Sequence, residues 1–140
     1  MEPQATSESE RIKHLEFIQA TISRLGNSCF AIRGWAVTAT GVLLAVSIQG
    51  EDWRVAAMAL WVGLGFAILD SSYLRRERMY RQLYNDAIQR DAQIVPIFSM
   101  DTQRYALIVK WKDSFLSDTI LMIHLPLISI DVATAILLAR

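Results

Sequence analysis

The sequence predicts an all-α integral membrane protein, and three observations carry that expectation. Residues 34–48 and 55–69 are fifteen-residue blocks without a charge. A third apolar block, 119–139, is interrupted only by His124 and Asp131. Charge is sharply segregated: the 140-residue chain is 53% hydrophobic and formally neutral, yet between residues 34 and 69 its charges are confined to Glu51, Asp52 and Arg54. Each block with its flanks approaches the roughly 20 residues a helix needs to cross the hydrocarbon core of a bilayer. A soluble domain of this size has no core thick enough to hide three such helices, so one membrane domain spans residues 1–140.

The first element is an amphipathic helix over 7–32 that leads into the first span. Ser7 and Glu10 have capping-box spacing, which satisfies the free amides of a helix start. Leu15, Ile18, Ile22, Leu25, Cys29 and Ile32 then follow a three-four spacing that makes one apolar stripe. That stripe suits packing on the chain's own hairpin, contact with the membrane surface, or a coiled-coil seam between copies.

Span 1 is expected at 28–49 and span 2 at 53–74, and the short turn between them forces an antiparallel hairpin. Trp35 and Trp53 fall near the two interfaces, where an indole is favoured, and Trp61 lies deeper as a packing residue. Ala59, Gly63 and Ala67 recur every four residues, a ridge that lets another backbone approach closely. Gly34, Gly41 and Ala45 give span 1 a comparable surface.

A basic helix over 75–92 continues span 2 without Gly or Pro, making one rod of nearly forty residues. Glu77 with Arg81 and Asp86 with Arg90 are favourable i,i+4 pairs. Arg75, Arg76, Arg78 and Arg81 form a basic cluster, read as a topology signal with solvated arginines, or as a site for anionic headgroups. A linker over 93–104 contains Pro96, which excludes a continuous helix. An interfacial helix is expected within 105–117, with 105–109 extended as the alternative. Span 3 at 119–139 carries Pro126 near its middle, where a kink is expected.

Four ionisable groups fall at membrane depth, where such groups are costly and face a partner or water. If the turn is centred between Glu51 and Asp52, residues whose numbers sum to 103 lie at equal depth. Arg33 and Asp70 satisfy that condition, so an ion pair is expected to clasp the open end of the hairpin. His124 and Asp131 are two helical turns apart on one face of span 3. Asp131 should be protonated, hydrogen-bonded to another copy or to a hydroxyl such as Thr38, Thr40 or Ser47, or turned toward a water-filled path. A homo-oligomer with this polar face inward follows from the shortage of partners within one copy.

Twelve of the fourteen Lys and Arg residues lie within 11–33 or 75–112. Basic residues near span ends stay in the cytoplasm, so the N-terminus and 75–117 are expected inside and the C-terminus outside. The first ten residues are acidic and polar, without the apolar core of a signal peptide. The lone Cys29 excludes an internal disulfide. No metal-ligand cluster, phosphate loop or nucleophile motif occurs. The expectation is therefore a non-enzyme with no cofactor, no metal and no nucleic-acid partner.

The run HLEFIQATISRLGNSCFAIRGWAVT, followed by a second span passing into LDSSYLRRERMYRQLYNDAI, resembles a widespread set of small bacterial multi-pass membrane proteins. The features that match are residues 14–19, Arg24 before Asn27 and Ser28, Arg33-Gly34-Trp35, and residues 69–84. This layout of helix, two spans and basic helix is also similar to SLATT-type effectors, to which the third span here is an addition. The resemblance implies a bacterial inner membrane, a role in antiviral defence and action on the membrane itself when a nucleotide signal is sensed. Two function classes follow. One is an oligomeric effector that permeabilises the bilayer, and the other is an anchor that recruits a cytoplasmic protein partner through residues 75–90. A minimal transporter using Asp131 is a third.

Overall fold

A computed structural model describes residues 3–89 and 95–140 as four α-helices and one 3-10 turn. The helices are α1 (Pro3–Gly50), α2 (Trp53–Ile88), α3 (Trp111–Phe115) and α4 (Asp118–Leu138), and the 3-10 turn is Gln103–Tyr105. Three of them, α1, α2 and α4, are long and apolar enough to cross a membrane. The central element is α2, which packs against all three other helices.

The 48 residues of α1 form one unbroken helix about 72 Å long. It begins at Pro3, whose fixed φ and missing N–H suit a first helical turn. The capping box expected at Ser7 and Glu10 therefore does not start the helix, because a turn of helix precedes it. The amphipathic segment and span 1 are one rod. Hydroxyls within the helices bond back to their own turns: Thr21 to the Phe17 carbonyl, Thr38 to Gly34, Ser72 to Ile68 and Ser129 to Leu125. The carbonyl one turn back is the acceptor a helical hydroxyl reaches within its own helix.

Glu51 and Asp52 make the turn between α1 and α2. Glu51 takes a left-handed φ of 51°. The Asp52 carboxylate accepts from Arg54 N–H at 2.9 Å and caps α2, and Ser47 Oγ donates to the Asp52 carbonyl at 2.8 Å. The 36 residues of α2 run without a break from the apolar block into the basic stretch. They end at Ile88, short of the expected 92, where the Gln89 backbone becomes extended. Arg11 of α1 caps this end by donating to the carbonyls of Ala87 and Ile88. The expected Asp86–Arg90 pair and the start of the linker lie outside the described residues.

Two cores hold the bundle. Beyond the apolar blocks, Ile18 and Leu83 pack with Val95 and Tyr105, flanked by Ile22, Met79 and Tyr84. The amphipathic stripe is thus covered by α2 and the 95–105 loop of the same chain. His14 fixes that loop through Nε2 and the Ser99 carbonyl at 2.9 Å. Between the apolar blocks the pattern inverts. Apart from Ile120, the buried residues are small or polar (among them Ala36, Thr40, Ala56, Ala59, Gly63, Ala67, Asp70, Ser71, His124 and Asp131), and most large apolar side chains face outward. Phe30, Trp61 and Met122 are each at least 74% exposed. Trp61 is therefore an outward residue and not the packing residue expected.

The 105–117 segment is not one helix. The 3-10 turn ends at Tyr105, a turn follows, and only Trp111–Phe115 is helical before α4 begins. Two arginines of α2 explain this, because they take carbonyls that a longer helix would use itself. Arg75 donates to the Ala106 carbonyl at 2.9 Å and the Val109 carbonyl at 2.8 Å, and Arg78 donates to the Asp113 carbonyl at 3.0 Å. Leu107, 87% exposed, and Ile108 project from this elbow. Beyond it, α4 passes through Pro126 as one helix of 21 residues.

Candidate functional site: a buried polar column

The site consists of two layers stacked along the three-helix interior. In the first, Arg33 of α1 clasps Asp70 of α2, with Nε donating to Oδ2 at 2.7 Å and Nη2 to Oδ1 at 3.3 Å. This two-point geometry is the strongest that a guanidinium and a carboxylate can make. The Arg33 side chain is 19% exposed, whereas that of Asp70 is fully buried. The two-residue turn puts both on one level, Arg33 eighteen residues before Glu51 and Asp70 eighteen after Asp52.

His124 of α4 completes this layer. Its Nε2 lies 3.2 Å from Asp70 Oδ2 in a contact that excludes solvent. A carboxylate can only accept, so Nε2 carries the hydrogen. The other ring nitrogen, Nδ1, is buried without a partner among the described residues. Asp70 thus holds two basic groups from two helices and joins all three spans by hydrogen bonds. Sequence spacing paired Arg33 with Asp70 but left His124 unassigned, because the connection from α2 to α4 is too long to transmit register.

The second layer lies seven residues further in on each helix, about 10 Å along the axis. Thr40 comes from α1, Gly63 from α2 and Asp131 from α4. A Cβ on Gly63 would lie 3.3 Å from the Thr40 methyl and 3.5 Å from Asp131 Oδ2, so the bare glycine is what lets the three helices close. Asp131 is fully buried, and neither carboxyl oxygen has a hydrogen-bond partner among the described residues.

The hydroxyls considered as partners for Asp131 are committed elsewhere. Thr40 Oγ1 donates to the Ala36 carbonyl at 2.7 Å, Ser47 to the Asp52 carbonyl, and Thr38 faces outward with its hydroxyl on Gly34. The polar face of α4 turns toward α1 and α2 of its own chain. A second copy is therefore not needed to cover it, contrary to the expectation from partner shortage.

The small-residue surfaces divide. Ala59, Gly63 and Ala67 are all buried inside the bundle. Gly34, Gly41 and Ala45 are exposed, and a Cβ on Gly34 or Gly41 would meet nothing within 4 Å. Span 1 meets α2 through Ala36 and Thr40 instead.

The basic cluster also divides. Arg75 and Arg78 hold the elbow, Arg81 pairs with Glu77 at 2.6 Å, and Arg76 is exposed. Arg75, Arg78 and the α2 cap Arg11 are structural residues that charge counting does not reveal. The missing signal was the elbow's carbonyls, which have no mark in a sequence. No family model matches the chain, and neither does any curated protein or solved structure.

Proposed function

We propose that this chain is a membrane effector that assembles as a homo-oligomer and, when triggered, lets ions cross the bilayer. The observation that carries the reading is the polar column: Asp70, His124 and Asp131, from two layers, buried between three helices whose outer faces are apolar. Groups of this kind are costly in a membrane interior and mark ion pathways. Stability alone gives little reason to keep them, since apolar residues of similar volume commonly do as well. The exposed strip of Gly34, Thr38, Gly41 and Ala45 on α1 offers copies a close-packing face. The similarity to SLATT-type effectors supports a bacterial inner membrane and a defence setting. The distribution of Lys and Arg supports a cytoplasmic N-terminus and an external C-terminus.

Expression in bacteria with a potential-sensitive dye tests this reading. Rapid depolarisation is expected, and Asp131→Asn should suppress it at equal abundance in the membrane. Retained potential with a cytoplasmic protein co-purifying would favour the second reading, an anchor. Two grooves on the helical arm support that alternative. One of about 470 Å³ is lined by His14, Phe17, Arg24 and Phe98, and the other, of about 480 Å³, by Gln19, Ser23, Arg81 and Asn85.

A further inference from the structure

We propose that Asp131 is a reversible proton-binding site at the centre of the bundle, in exchange with the open end of the hairpin through His124 and Asp70. This deepens the reading of the column as an ion path, on which it rests, by naming the ion. The choice of ion follows from ligand count. A metal cation held by oxygen needs several donors around it, six or more for calcium or magnesium. Here one carboxyl group supplies two oxygens, and Oδ2 lies against Gly63 of α2, the same glycine that the Thr40 methyl of α1 approaches. The Thr40 hydroxyl of this layer already donates to the Ala36 carbonyl. A proton needs only one oxygen. Among the described residues, no charged or titratable side chain of α1 or α2 stands in this layer. The nearest such groups are Arg33, Asp70 and His124, one layer away.

The route follows from the other orphaned group. His124 Nδ1 is buried without a partner on the face that carries Asp131, two turns toward the open end. Ala36 and Ala67 occupy the intervening level of α1 and α2, and both are small and buried, so the water that links the layers enters when the helices part. In the exchange, the Asp131 carboxyl releases its proton through water to Nδ1, leaving a carboxylate and an imidazolium. The imidazolium then gives up its Nε2 proton toward Asp70, which Arg33 holds at the partly exposed end of the column. One proton has moved outward, and the imidazole remains as the other tautomer.

Infrared difference spectra of the full chain in lipid vesicles, titrated from acid to alkaline pH, test the site directly. A carboxylic-acid carbonyl band should vanish as a carboxylate band grows, and Asp131→Asn, a neutral isostere, should abolish that pair. His124→Gln should keep the band but slow its response to a pH jump by about a hundredfold or more, the effect expected when a proton-transfer group is lost. A titrating band unaffected by Asp131→Asn, or no titration at all, overturns the site. An unchanged response rate in His124→Gln overturns the route. Vesicles that conduct no ion while the Asp131 band titrates would sink the effector reading and leave the proton site standing.

Discussion

Asp70 shows how one residue can organise the interior of an apolar bundle. It is fully buried, yet it accepts from a guanidinium on one helix and an imidazole on another. Removing one partner of such a pair leaves an uncompensated charge and costs about 3–5 kcal/mol when burial is complete. Arg33→Ala and Asp70→Ala should each lose about 3 kcal/mol in detergent melts, because Arg33 is partly exposed and can reach polar surroundings. The double variant should lose less than both losses combined, and strict additivity would mean that the contact contributes nothing. A second residue-scale expectation concerns Tyr105 in the 95–105 core. Burial, and the hydrogen bond it donates to Asp86 Oδ2 at 2.7 Å, push its hydroxyl from 10.0 up to about 12. From about pH 10 to about pH 12 the unfolded chain has released this proton while the folded chain still holds it. Its stabilisation is therefore full below about pH 10 and is lost as pH rises through about 12. Tyr105→Phe should remove that alkaline loss from the melting curve, and phenolate absorbance should titrate late in the wild type.

At the scale of elements, packing follows which side of each helix is small. Gly63 faces Thr40 and Asp131 at contact distance, whereas Gly41 on the neighbouring helix faces open space. Gly63→Leu should destabilise the bundle by about 1–3 kcal/mol through overpacking. Gly41→Leu should leave its thermal stability within about 0.5 kcal/mol, as surface changes do. Equal losses would mean that the layer does not depend on the bare glycine. The elbow provides a matching comparison among arginines. Arg75 holds two carbonyls of the 105–109 turn, while Arg76 beside it is exposed. Limited proteolysis of Arg75→Ala should cut within 104–112 faster than in the wild type, and Arg76→Ala should be cut at the wild-type rate.

For the whole molecule, the distribution of charge sets the expected orientation and the bundle sets what can be labelled. Cys29 is buried, so it gives a quiet background for a cysteine-labelling experiment. In intact cells, a cysteine at Asp52 should react with an impermeant thiol reagent and one at Gln82 should not. The reverse pattern would overturn the orientation and move the elbow to the other face of the membrane.

The sequence by itself determined the class of the protein, the number of apolar helices and the level at which Arg33 meets Asp70. Those follow from short-range rules: hydropathy summed along one helix, and a two-residue turn that leaves the antiparallel register no freedom. It also marked Ala59, Gly63 and Ala67 as a close-packing ridge, since a period of four needs only the helix itself. The partners of α4 could not be read in this way. Twenty-nine residues separate Ile88 from Asp118, and a connection of that length transmits no register. Only the packed bundle placed His124 on Asp70, set Asp131 against Gly63, and turned Gly34 and Gly41 outward. The tertiary structure also decided the fate of the arginines, because a guanidinium is free or engaged according to which carbonyls the folded chain brings within its reach.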